Sequence, residues 1–254
     1  MGVSVTRRIN EVKQPKGGYL NPKDLEQIQL PTKNDLQGEN IPPSLVGLAV
    51  DYLTRFSLTK NVYDAFAISL IGAKLGGFEK KANLLLKNIK LPLDTDSVIS
   101  ATRLCGYDAI YRAGPMAYRP VEEILPDDKT INNILEMVRR SLDFFEKYGP
   151  ITSDGFTFEK KGYTNTVSTG DGDFLTKDTL WDFKVSGKEP TNKHTLQLLM
   201  YWIMGKHSLQ TKFEKITKIG IYNPRLNRVF TYDLSNLKRE VVEEIENDVI
   251  CYEK

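Results

Sequence analysis

The chain of 254 residues has little cysteine, little histidine, little net charge and no long apolar run. Its two cysteines, Cys105 and Cys251, lie far apart and make no C-x-x-C pair. Two thiols cannot complete a four-cysteine zinc or iron–sulfur site, and they do not outline a disulfide-stapled secreted domain. No apolar stretch approaches the roughly 18 residues that a membrane span needs, so no membrane partner is expected. No signal-peptide core is seen near the N-terminus, and the expected location is cytoplasmic. Met1-Gly2-Val3-Ser4-Val5-Thr6 fits the loose myristoylation pattern, a match short enough to arise by chance. A net charge of +2 gives no strong basic footprint for nucleic acid. A local basic groove beside an acidic centre would cancel in the total, so that partner stays open.

What is present is an ordinary globular composition, long enough for one large domain or for a catalytic domain with an accessory layer. Residues 1–41 mix Pro, Gly, Lys and Asn without sustained periodicity and are expected to form an irregular lead-in. From Pro42-Pro43-Ser44 the pattern changes. Leu45, Leu48, Ala49, Tyr52, Leu53 and Phe56 recur at helical spacing and predict a half-buried helix to about Leu58. Helical patterns follow over Asn61 to Leu75, Glu79 to Lys90 and Ser97 to Arg112. A long amphipathic helix is predicted over Asp127 to Tyr148, with Ile131, Ile134, Leu135, Val138, Leu142 and Phe145 inward. Residues 59–150 therefore predict a helical layer inserted into a domain that spans 42–254.

The period then switches. Phe156-Thr157-Phe158, Tyr163 to Thr169, Asp171 to Leu175 and Thr179 to Ser186 read as strands. A helix from about His194 to His207 follows, then strands over Ile216 to Tyr222 and Arg228 to Tyr232, and a last helix from about Asn236 to Ile250. The expected class is α/β, with a central mixed sheet flanked by helices.

The chemistry-bearing stretch is Gly170-Asp171-Gly172-Asp173, then Thr176-Lys177-Asp178, then Trp181-Asp182-Phe183-Lys184. Two strands joined by a tight polar turn would put Asp173 on one and Asp182 on its neighbour. Asp182 and Lys184 are two apart and share a face with Leu180, while Trp181, Phe183 and Val185 take the other. Two carboxylates are a minimal oxygen set for Mg²⁺, which lowers the pKa of bound water and polarises a phosphoryl oxygen. A lysine beside them can hold the water or the phosphate. A lone D-x-K on a strand is more often surface charge, so its neighbours matter. His194, Gln197 and Tyr201 fall at i, i+3 and i+7, on one helix face. Taken alone, Gln197 and Tyr201 could equally be ordinary amphipathic packing residues.

Gly170-x-x-Asp173, Asp182-x-Lys184 and Gln197-x-x-x-Tyr201, in this order, resemble the RecB-type branch of the PD-(D/E)XK nucleases. That branch includes CRISPR-associated adaptation exonucleases and is related to lambda-type phage exonucleases. The resemblance covers about 160–205 well and extends loosely over 43–250. It implies a Mg²⁺- or Mn²⁺-dependent deoxyribonuclease, exo- or endonucleolytic, hydrolysing DNA phosphodiester bonds, with RNA left open. Asp173, Asp182 and the backbone carbonyl of Phe183 would bind the metal. Lys184 would orient the attacking water, and Gln197 and Tyr201 would brace the centre or touch the nucleic-acid backbone. The family's first helix often reads G-x-x-x-H with the His as a ligand; here Gly47-Leu48-Ala49-Val50-Asp51 puts Asp51 there. Asp51 could serve Mg²⁺, or could simply pair with Arg55 one turn on. The cluster-binding cysteines of some relatives are absent, so no iron–sulfur cluster is expected. Arg103, Arg112, Arg119, Arg139 and Arg140 of the helical layer could line a substrate channel or be merely solvated. The alternative to a nuclease is a catalytically silent nuclease-fold module that binds nucleic acid or a protein.

Overall fold

A computed structural model describes residues 2–253. The chain forms two compact units, one of Pro31–Phe144 and one of the residues before and after it.

The first 41 residues carry more order than their composition suggests. They hold β1 (Val3–Ser4), α1 (Val5–Glu11) and β2 (Glu26–Gln29). Elements this short cannot display a period, which is why the pattern reads as irregular. Distant partners hold them. Val3 pairs in parallel with Val167, Arg8 donates to the Val249 and Asp248 carbonyls at 2.8 Å each, and Val5 is fully buried.

The unit Pro31–Phe144 contains α2 (Pro43–Thr59), α3 (Val62–Ala65), α4 (Ala67–Leu75), α5 (Glu79–Asn88), α6 (Thr95–Cys105), α7 (Asp108–Ala113) and most of α8 (Asp128–Tyr148), and no strand among the described residues. Two helices that the sequence pattern makes continuous are each broken. The breaks fall at Phe66 and at Gly106-Tyr107, where both aromatic rings are fully buried. Beyond the second break Asp108 is buried as well. It accepts from the Tyr52 hydroxyl at 2.6 Å and the Ser69 hydroxyl at 2.5 Å. Core anchoring has overridden helical continuity there.

The buried stripe of α8 is rotated from the expected one. Ile131, Ile134 and Val138 are buried, but so are Thr130, Asn133, Glu136 and Arg140, whereas Leu135, Leu142 and Phe145 are half-buried. The cause is an extended segment that runs along the helix and uses every third residue. Asn34 donates to Glu136 at 3.1 Å, Gln37 exchanges bonds with the Asn133 side chain at 3.0 and 2.8 Å, and the Asn40 N–H donates to Thr130 Oγ1 at 3.0 Å. Polar residues can be buried because each finds a partner. Four of the five arginines named for a substrate channel engage protein groups. Arg140 is buried between Glu136 and the Asn34 carbonyl, Arg139 is paired with Glu136 and Asp143, Arg112 with Asp108, and Arg103 donates to the Ile124 carbonyl.

The other unit is an α/β layer structure. Its later elements are β3 (Ser153–Phe156), β4 (Val167–Thr169), β5 (Gly172–Leu175), β6 (Thr179–Phe183), α9 (Asn192–His207), β7 (Lys218–Asn223), β8 (Arg228–Asp233) and α10 (Arg239–Glu244), which continues as a π-helical turn over Ile245–Ile250. Six strands form one mixed sheet in the order β2-β8-β7-β6-β5-β3, antiparallel except for β6 and β7. That parallel pair is joined through α9, since a parallel connection needs a crossover. α9 packs on β6 and β7. Leu196, Leu199, Met200 and Ile203 meet Leu175, Leu180, Ile219 and Ile221 in one buried cluster, each side chain contributing about 1.5–3 kcal/mol by burial.

The opposite face of β6 is aromatic. Trp181 stands against Phe174 and Tyr148, with ring centroids 6.2 and 5.6 Å away. Its register partner on β7 is Gly220. A Cβ there would lie 2.4 Å from the indole, so only glycine leaves room for it. Among the described residues, no helix is long and apolar enough to cross a membrane.

Candidate active site

β5 and β6 form an antiparallel pair in which Phe174 opposes Trp181 and Leu175 opposes Leu180. One step further along that register sets Asp173 across from Asp182. Alternation then puts Asp173, Leu175, Leu180, Asp182 and Lys184 on the face that α9 covers, where Leu175 and Leu180 join its core cluster. The ladder itself stops short of this step, and a side chain takes over. Asp173 Oδ2 accepts the Phe183 N–H at 2.6 Å. On a strand the N–H and C=O of one residue point to the same side, so the Phe183 carbonyl also faces the Asp173 side.

Asp182 is 3% exposed. Its Oδ1 meets Lys184 Nζ at 3.0 Å. Its Oδ2 is buried and finds no hydrogen-bond partner among the described residues. A buried carboxylate oxygen left bare costs on the order of 1–3 kcal/mol or more, and two like charges directly across a strand pair add to that. This arrangement favours a cation between them. A hard divalent ion suits a site of carboxylate and carbonyl oxygens and would complete its shell with water. Among the described residues no group of three or more His, Cys, Asp or Glu side chains is gathered as a metal-binding cluster.

α9 supplies the wall of the site. Gln197 Nε2 donates to the Tyr201 hydroxyl at 2.9 Å. Tyr201 is 4% exposed, with its ring 5.2 Å from that of Phe158. Burial pushes its phenol far above the ordinary range, and the carboxylates of Asp182, Asp173 and Asp171 push the same way against the Gln197 bond. The hydroxyl therefore stays protonated in the field of the acids. One further residue of this helix face feels the charges of the site. His194 is half-buried, and its basicity is lowered by burial and by Lys184, while Asp182 acts against them.

The structure thus brings Asp173, Asp182, Phe183, Lys184, Gln197 and Tyr201 into one unit, on two strands and the helix that follows them. Asp51 belongs to the other unit, where its Oδ1 accepts from Arg55 Nε at 2.8 Å. The sequence shows His194 only as the leading member of the Gln197 and Tyr201 row and gives it no role.

No protein-family pattern, no curated protein and no solved structure matches the chain.

Proposed function

We propose that this protein is a divalent-metal-dependent nuclease that hydrolyses DNA phosphodiester bonds in the cytoplasm, on a core of the PD-(D/E)XK kind. The observation that carries the reading is the bare, buried Oδ2 of Asp182, one register step across from Asp173 and beside Lys184. Asp173, Asp182 and the Phe183 carbonyl would hold Mg²⁺ or Mn²⁺. Such an ion, when bound, supplies acidified water and offsets charge growing on the phosphate. Lys184 keeps a half-buried ammonium at the same point, where it can direct a water or hold a phosphate oxygen. Gln197 and Tyr201 brace the wall by their mutual hydrogen bond, the Tyr201 O–H remaining a neutral donor. Asp51 pairs with Arg55 through Oδ1, and the reading does not depend on it.

The test is cleavage of end-labelled single- and double-stranded DNA with Mg²⁺, with Mn²⁺ and with a chelator. Cleavage that needs the metal is expected. Intact DNA under every condition would overturn the hydrolytic reading, and retained binding in the same samples would assign the fold to a silent binding module.

A further inference from the structure

His194 is the third residue of α9, and its ring is turned back over the helix start. Nδ1 accepts the Thr191 main-chain N–H at 3.1 Å. A ring nitrogen that accepts carries no proton, so in the neutral imidazole the proton sits on Nε2. The backbone sets the tautomer. The imidazolium would have to give up the Thr191 bond, and it would stand at the positive end of a 16-residue helix. Burial and the Lys184 ammonium disfavour it further. A neutral imidazole fixed at a helix N-terminus is an N–H donor rather than a base.

Among the described residues that donor has no partner, and the ring makes only the Thr191 bond. Asp182 acts electrostatically on the ring, yet its Oδ2 is bare as well. The acceptor is therefore buried and bare, the donor on the half-buried ring is left for a ligand, and the two do not pair with each other. What satisfies both is a ligand with a cation for the carboxylate and an anionic oxygen for the imidazole. A metal-bound phosphate has both.

We propose that His194 donates its Nε2–H to a non-bridging oxygen of the phosphate taken up beside Asp182 and Lys184, as a substrate-contacting residue of the site. No proton is transferred in this step. The proposal rests on the reading of the site given above.

The chain has two histidines, His194 and His207, so one variant, H194Q, assigns the imidazole ¹⁵N resonances. The spectra are recorded on the full protein alone, with Mg²⁺, and with Mg²⁺ plus thymidine 3′,5′-bisphosphate. The expected pattern is an unprotonated, hydrogen-bonded Nδ1 and a protonated Nε2 throughout, with the Nε2 proton moving downfield only when the bisphosphate is added. An unmoved Nε2 proton would overturn the proposal, and so would its loss on Mg²⁺ alone, which would make His194 a ligand. In single-turnover cleavage, H194A should lose about 10²-fold, the typical effect of removing one preorganised donor. H194Q keeps an oxygen for the cap and an N–H near the place of Nε2, and should recover most of that loss. A purely capping His194 predicts instead a lower Tm with an unchanged rate per folded molecule, which overturns the proposal. If the parent protein cleaves no DNA, the hydrolytic reading falls, and the imidazole response still decides whether His194 donates to phosphate.

Discussion

The main-chain N–H of Phe183 donates to Asp173 Oδ2 at 2.6 Å, so one carboxylate both continues the β5–β6 pairing and borders the candidate metal centre. Asp182, across from it, holds no main-chain group: its Oδ1 pairs with Lys184 Nζ at 3.0 Å, and its Oδ2 bonds to nothing among the described residues. The two aspartates should therefore separate when each is changed.

Asp173→Ala leaves the half-buried Phe183 N–H without its acceptor. Unfolding by urea in the presence of a chelator should show a loss of about 1–3 kcal/mol, the cost of an unsatisfied group. Activity should be lost as well. A variant as stable as the parent would mean that the strand pairing does not lean on Asp173.

Asp182→Asn should behave differently. The amide keeps the shape and an oxygen for Lys184 while removing a buried charge, so the weakened ion pair offsets the gain and the Tm without metal should stay close to that of the parent. Added Mn²⁺ should raise the Tm of the parent and leave the variant unmoved, because a ligand stabilises only the state that binds it. Equal metal-induced shifts in the two proteins would contradict the role given to Asp182.

Much of this unit could be read from the sequence because its signals are local. The alternation Leu180, Asp182, Lys184 against Trp181, Phe183 places the acid and the lysine on one face, and the structure has them there. α9 reads as a helix because its apolar residues extend over many turns. What could not be read depends on distant partners. β2 finds its place through β8, two hundred residues away, and α8 turns a polar stripe inward because Asn34, Gln37 and Asn40 come to meet it. Phe66 and Tyr107 break two periodic helices for the sake of burial elsewhere. The tautomer of His194 depends on a single hydrogen bond at a cap, which spacing alone cannot show.

The polar stripe of α8 makes the helical unit sensitive to acid. Hydrogen bonding from Arg139, with Asn34 and Arg140 adding to it, holds the Glu136 carboxyl down to about 2. Its folded value lies below the unfolded one, so its stabilisation is complete above the unfolded carboxylate range and is lost as pH falls from about 5 toward 2. Glu136→Gln should cost about 2 kcal/mol at pH 7, and the difference from the parent should shrink at pH 3. A difference independent of pH, measured by urea unfolding at both values, would contradict this role.

The last prediction concerns Gln197 and Tyr201 as a unit. The Tyr201 hydroxyl accepts from Gln197 at 2.9 Å and stays protonated in the field of three carboxylates, so it keeps a proton of its own to donate. Tyr201→Phe removes that donor and leaves the Gln197 amide without its acceptor. Gln197 is half-buried, so water can replace the lost bond, and the stability cost should stay near 1 kcal/mol. The cleavage rate should fall about tenfold or more if the hydroxyl faces the reacting centre. Gln197→Ala should lower the rate less, because Tyr201 keeps its own donor and loses only its brace. If the two act as one device, the double variant should be no slower than Tyr201→Phe alone, giving a coupling of about 1 kcal/mol in the cycle. Independent packing roles predict the reverse: additive losses in Tm, and a rate per folded molecule that none of the three variants changes.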